Sequence, residues 1–274
     1  MSRERHVSIY VGCCGFPVAR SRYYRIFKTV EIQQTFYNLP TTNTAMRWRE
    51  EAPSDFVFNM KAWQVITHPP SSPTWRRLRS EPPGNRENYG LLKPSEENFS
   101  AWRRSLDIAR ILRARLIVLQ TPPSFGYSYE HVGWVNSFFS RAVIEANQLG
   151  VLVGWEPRGS WRDALDTVKE IVCRYGVIHI VDPLRLNPII CEKQAVLYFR
   201  LHGLGGKEVN YRYKYTYNDL ATLASKISNY LETYKGLKEV YVMFNNVYML
   251  DDGIRFREIA SKHLGNKHPW VKIY

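Results

Sequence analysis

Ala195-Val196-Leu197-Tyr198-Phe199-Arg200-Leu201-His202 reads as a buried β-strand whose last residues carry charge and a titratable ring. Seven other short β-type runs share the design: Ser8 to Gly12, Thr29 to Gln33, Phe56 to Lys61, Arg115 to Gln120, Val151 to Glu156, Val177 to Asp182 and Glu239 to Asn246. Almost every one closes on a charged or amide side chain, and stretches of helical character separate them. Eight β/α units in about 250 residues predict a TIM barrel, in which the C-terminal strand ends build the active site. The expected architecture is α/β: a single (β/α)8 barrel over residues 1–274, with a long insertion after strand 3 and a shorter one after strand 7.

Helical spacing of apolar residues predicts helices over Ala19 to Lys28, Ala45 to Glu51, Ser95 to Leu112, His131 to Leu149, Trp161 to Tyr175 and Asn218 to Tyr234, with a short helical piece over Asn187 to Lys193. Residues 67–94 are rich in Pro, Ser, Arg and Gly and show no apolar period, so they read as a lid or a disordered excursion on the catalytic face. The shorter insertion runs from Gly203 to Tyr217.

Side chains alternate along a strand, so counting back by twos from the strand ends selects one face. That face collects Glu31 with Gln33, Asn59 with Lys61, Gln120, Glu156, Asp182, Arg200 with His202, and Asn245. Val30, Ile32, Ile117, Leu119, Val181, Phe199 and Leu201 fall on the other face and suit packing under helices. A structural barrel fills its lumen with Val, Ile and Leu, because burying unpaired charge costs several kcal/mol. Ten convergent polar groups therefore predict a site. Individually, Glu31 with Arg200 reads equally as an ion pair and Asp182 with His202 as a loop-fixing pair. His179, on the opposite parity, reads as a core histidine.

The formal net charge is +13 and the sequence pI about 9.6, with the excess concentrated before Arg115. This balance fits an anionic partner, DNA or RNA foremost and a small phosphorylated metabolite second. No apolar run reaches the roughly 20 residues of a membrane span, and no leader pattern opens the chain, so no membrane partner and a cytoplasmic location are expected. Cys13, Cys14, Cys173 and Cys191 show no zinc-ligand spacing and read as free buried thiols. Too few histidines stand at strand ends for a trinuclear zinc centre. One divalent cation held by Glu31, Glu156, Asp182 and His202 is the metal arrangement these residues allow. The abundance of Arg, Tyr and Pro suits a thermophile.

Several segments together resemble the domain-of-unknown-function family 72, also called the YecE-like proteins. They are Val11-Gly12-Cys13-Cys14-Gly15-Phe16, Val30-Glu31-Ile32-Gln33-Gln34-Thr35-Phe36-Tyr37-Asn38-Leu39-Pro40, Phe58 to Lys61 with Ile66-Thr67-His68, Gln120 to Phe125, Trp155 to Trp161, Tyr198 to Gly203, and Phe244-Asn245-Asn246. The resemblance implies a TIM barrel and a pocket containing Glu31, Lys61, His68, Gln120, Glu156, Arg158, Arg200, His202 and Asn245. It names no substrate. The chain departs from the family pattern at Cys13 and Cys14, at Gln33 in place of Asn, and around Trp155-Glu156-Pro157-Arg158.

The favoured expectation is an enzyme, hydrolase or lyase, that cleaves a phosphodiester or N-glycosidic bond in nucleic acid. Glu156, Asp182, Glu31, Lys61 and His202 are its candidate catalytic groups, with Gln33, Tyr37, Asn59, His68, Gln120, Arg158, Arg200 and Asn245 binding substrate. Trp75, Arg76, Arg77 and Arg79, with Tyr211-Arg212-Tyr213-Lys214, interleave cations and aromatics as a nucleic-acid surface would. The second expectation is an enzyme for a small phosphorylated or sugar-like metabolite, in which Lys61 could form a Schiff base if burial lowers its pKa. The third is a non-catalytic binder of nucleic acid or protein.

Overall fold

The structure is a computed structural model that describes residues 5–206 and 208–274. In chain order its elements are β1 (Val7–Cys14), α1 (Arg20–Ile26), β2 (Thr29–Ile32), α2 (Gln34–Tyr37), α3 (Thr42–Glu51), β3 (Val57–Lys61), α4 (Gln64–Thr67), α5 (Glu96–Leu112) and β4 (Leu116–Gln120). Then follow α6 (Tyr129–Asn147), β5 (Leu152–Glu156), α7 (Leu165–Tyr175), β6 (Ile178–His179), β7 (Val196–Leu201), α8 (Tyr217–Thr233), β8 (Glu239–Phe244), α9 (Met249–Lys267) and β9 (Val271–Ile273). Eight parallel strands follow the TIM-barrel pattern, with helix between every consecutive pair except β6 and β7, and β9 is a short addition that pairs with β1.

The chain divides into two compact units. The first comprises residues 1–31, 54–56 and 179–274. In it β1 pairs with β8 along Ser8 to Cys13, and β8 pairs in turn with β7. Beside β1, β2 takes the register Gly12 to Cys14 while β9 takes Val7 to Ile9. Gly253 of α9 lies where a Cβ would stand 2.9 Å from the Phe27 ring, so only glycine lets this helix settle on the junction of α1 and β2.

The second unit comprises residues 32–53 and 57–178. Its strands β3, β4 and β5 are parallel neighbours, and all five residues of β4 are buried. Such two-sided burial explains the unbroken Leu-Ile-Val-Leu run. Ser95 caps α5 by accepting the Asn98 amide, and buried Phe99, Trp102, Leu106 and Ala109 recur at helical spacing along it. Trp102 is fully buried and donates to the Ala142 carbonyl of α6 at 3.1 Å.

Several expectations need correction. β2 stops at Ile32, and Gln33 has helical dihedrals at the head of α2, so it leaves the strand face that Glu31 occupies. β6 keeps two residues, followed by an isolated bridge from Val181 to Phe199. Residues 187–193 form no helix. A 3-10 turn, Gly159–Asp163, precedes α7 where one continuous helix was expected. Cys13 and Cys14 are free and buried as expected, whereas Cys173 and Cys191 are disulfide-bonded.

Residues 67–94 are also not a disordered excursion. They carry two 3-10 turns, Pro73–Arg77 and Arg86–Asn88, and bury Trp75, Tyr89 and Leu92. Gly90 sits at φ +84°, where a Cβ would meet the His68 carbonyl at 2.5 Å, and its amide donates to Val65 O at 2.7 Å. The segment is thus sewn back onto α4. Among the described residues, no helix is long and apolar enough to cross a membrane.

Candidate functional site

Three successive parallel strands of the second unit end on Lys61, Gln120 and Glu156. The register places Gln120 opposite Glu156 and Lys61 opposite Val118. The Lys61 Nζ donates to Gln120 Oε1 at 2.8 Å and lies 3.8 Å from the centre of the Phe36 ring, a cation-π contact. Thr35 fixes the strand end by donating to the Lys61 carbonyl at 2.6 Å. Arg158 grips Oε1 of Glu156 with Nε at 2.7 Å and Nη2 at 2.6 Å.

His68 joins this group from the end of α4. Its Nδ1 shares a 2.9 Å hydrogen bond with Thr67 Oγ1, and its ring packs edge-on against Phe36. Burial first, then the cations Lys61 and Arg158, hold its pKa down to about 3. The imidazole is therefore neutral at physiological pH, a hydrogen-bonding group and not a charge. Asn59 is wholly buried two residues before Lys61, and Tyr37 supports Gln64 through its carbonyl, 3.2 Å from Nε2. Lys61, His68, Gln120 and Glu156 keep between 5 and 8 % of their surface.

In the first unit the strand-end residues form a different kind of cluster. Glu31 and Arg200 are 0 and 1 % exposed, joined by Nε to Oε2 at 3.0 Å and Nη2 to Oε1 at 3.0 Å. The Tyr198 hydroxyl donates to the same Oε2 at 2.9 Å. Burial and then the neighbouring Glu31 charge push the Tyr198 hydroxyl and the Cys14 thiol well above their ordinary ranges, so both stay protonated.

Asp182 holds a loop. Oδ1 accepts the Leu184 amide at 3.0 Å, and Oδ2 accepts the His202 amide at 3.1 Å with the Tyr215 hydroxyl at 3.5 Å. Tyr215 Oη in turn accepts the Gly203 amide at 2.7 Å. The expected pairing of Asp182 with His202 thus runs through backbone, while the imidazole Nδ1 stands 3.1 Å from Asn245 Nδ2.

The surface motifs fare differently. Trp75 is buried, with Nε1 donating to the His68 carbonyl at 3.0 Å, so its ring is not a stacking platform. Arg76, Arg77 and Arg79 are exposed, but Arg77 lies 3.6 Å over the Tyr37 ring, and Asn38 ties down the Arg77 carbonyl and the Arg79 amide. Tyr211, Arg212 and Lys214 are exposed, with Lys214 paired to Asp251 at 2.9 Å. Tyr213 donates to Asp219 at 2.7 Å, a bond that heads the causes of its pKa of about 12. Among the described residues no group of three or more His, Cys, Asp or Glu is placed to hold a metal ion.

Phe36, Thr67, Tyr198 and Tyr215 were missed as members of these clusters. Tyr198 shares the parity of Arg200 and was legible by the same count. Phe36 lies within the family-like segment around Glu31 and could have been marked there.

The sequence profile of the family described as "Protein of unknown function DUF72" matches residues 19–268. The chain is a DUF72 protein. A DUF72 structure from Enterococcus faecalis V583 resembles it with a TM-score of 0.66 at 18% identity, covering 93% of this chain and 98% of that one. A second, from Thermotoga maritima MSB8, gives 0.62 at 21%, covering 93% and 99%. A D-psicose 3-epimerase crystallised with D-fructose gives 0.54 at 11%, covering 96% and 98%, which extends the DUF72 fold to sugar-epimerase barrels. No curated protein sequence matches the chain.

Proposed function

We propose that this DUF72 protein is an enzyme acting on a small hydroxylated or phosphorylated, carbohydrate-like metabolite through the Lys61, His68, Gln120, Glu156 and Arg158 cluster. The observation that carries this reading is the gathering of a cation, an amide and an ion-paired carboxylate at three adjacent strand ends with a neutral imidazole from the end of α4, each nearly closed to solvent. That depth suits a small ligand better than a nucleic-acid strand, and Trp75 and Tyr213, two of the aromatics expected to stack on bases, are committed internally. The fold is shared with a D-psicose 3-epimerase, where it carries sugar chemistry.

In this reading Glu156 moves a proton at a carbon or hydroxyl of the substrate, with Arg158 yielding part of its grip to an incoming anionic or hydroxyl oxygen. Lys61 stabilises negative charge that develops on a neighbouring oxygen. Neutral His68 and the Gln120 amide orient hydroxyl groups. The test is a thermal-shift and calorimetric screen of three- to six-carbon sugars and their phosphates, beside single- and double-stranded oligonucleotides. One sugar class should raise Tm, and Lys61→Met should remove that response while the variant stays folded. Salt-sensitive oligonucleotide binding that is weakened by Lys61→Met, with no sugar response, would overturn the reading in favour of a nucleic-acid enzyme.

A further inference from the structure

A concave site separate from the Lys61 cluster lies wholly within the first unit. Residues from α1, α9 and the β9 segment line a cleft of about 580 Å³, within the size range of small-ligand pockets. Arg25, Lys28, Arg257 and Lys262 contribute four cationic residues to its lining beside Glu258, while Ile26, Phe27 and Ile273 provide apolar walls. Four cations against one carboxylate leave the lining net positive, and low-dielectric walls concentrate that field and draw in negative charge.

One of these cations is held in place and a second is loosely paired. Arg257 Nη1 donates to the Ile26 carbonyl, and its guanidinium lies 5.6 Å from the Phe27 ring centre, which orients the remaining N–H groups without consuming them. The close seat of Gly253 on Phe27 keeps α9 at the distance this bond requires. Lys28 pairs with Asp55 at 2.8 Å, but both partners are well exposed, at 39 and 62 % of their side-chain surface. Such a surface pair is worth little, so a multiply charged anion can recruit the lysine. Arg25 and Lys262 are exposed and add charge at the rim.

We propose that this cleft binds a small polyphosphate-type anion, either inorganic pyrophosphate or the phosphate chain of a nucleotide. Several phosphoryl oxygens can meet one preset and three mobile cations at once, which a single carboxylate cannot do. The inference is independent of the function proposed above, since it uses no residue of the Lys61 cluster.

The test is calorimetric titration of the full chain with pyrophosphate, ATP and inorganic phosphate, with a single-stranded oligonucleotide as competitor. Pyrophosphate or ATP should bind, and inorganic phosphate about tenfold or more weakly, as expected for one contact fewer. Arg25→Glu and Lys262→Glu change exposed residues and should each weaken binding about tenfold, with far-ultraviolet circular dichroism unchanged. Lys61→Met should leave it intact. A stronger response to pyrophosphate than to ATP assigns the site to the free anion, and the reverse to a nucleotide. The proposal fails if neither binds, if both charge reversals are silent, or if the oligonucleotide alone binds with sensitivity to those reversals.

Discussion

Glu31 with Arg200 and Glu156 with Arg158 are both carboxylate–guanidinium pairs at strand ends, closed at 3.0 Å and at 2.6–2.7 Å respectively. They differ in depth. The first is sealed at 0 and 1 % exposure and is completed by the Tyr198 hydroxyl, while the side chains of the second retain 7 and 14 %. Desolvation makes the same chemistry a structural commitment in one place and a reachable resource in the other. A sealed pair is costly to break and has little surface for a ligand, whereas a slightly open one can exchange partners.

The largest effect should come from opening the sealed pair. Arg200→Met should cost about 3–5 kcal/mol of stability in urea denaturation, because it strands the Glu31 charge in a dry site. Arg158→Met should cost under about 2 kcal/mol, since water reaches its partner. Equal losses would break the comparison.

Proton linkage sharpens it next. Folded His68 titrates at about 3 against 6.5 when unperturbed. Below pH 6.5 the unfolded chain takes up a proton that the folded chain refuses, so the His68 contribution is complete above that pH and erodes as pH falls towards about 3. His68→Gln should flatten this part of the stability–pH profile, and Arg158→Met should raise the His68 pKa followed by NMR. An unchanged pKa would place Arg158 too far away to act on the ring.

Tyr198→Phe should cost about 1–3 kcal/mol, the worth of one buried hydrogen bond to a charged acceptor. At the small end, Lys214→Ala breaks an exposed pair with Asp251 and should shift stability by less than about 1 kcal/mol. A larger loss there would mean that the surface run is structurally more important than its exposure implies.

Strand count made most of the barrel legible, because short runs buried on both faces and ending in a polar residue leave a direct trace in residue order. Lys61, Gln120 and Glu156 were recognisable as terminal polar residues of otherwise apolar runs. Their partners were less so: Phe36 beneath Lys61 lies on a different element, and sequence order does not encode that approach. Residues 67–94 misled for a physical reason. The segment is held by side-chain-to-backbone bonds, such as Trp75 to His68 and Asn98 to Gly90, which leave no hydrophobic period to read. Helix α9 went unremarked because charged residues such as Asp251, Asp252, Arg255 and Arg257 interrupt its apolar positions. Gln33 showed how one residue of helical backbone at a strand end defeats a parity count.

The short strand β9 has a bearing on solubility. β8 occupies one side of β1, so β2 and β9 divide the other, with β2 reaching only its C-terminal residues. Without Val271 to Ile273, the amides and carbonyls from Val7 to Val11 would present an open, β-branched edge to any passing strand. Losing that segment should therefore turn a dispersed protein into one that self-associates through its first strand, well before its core is compromised.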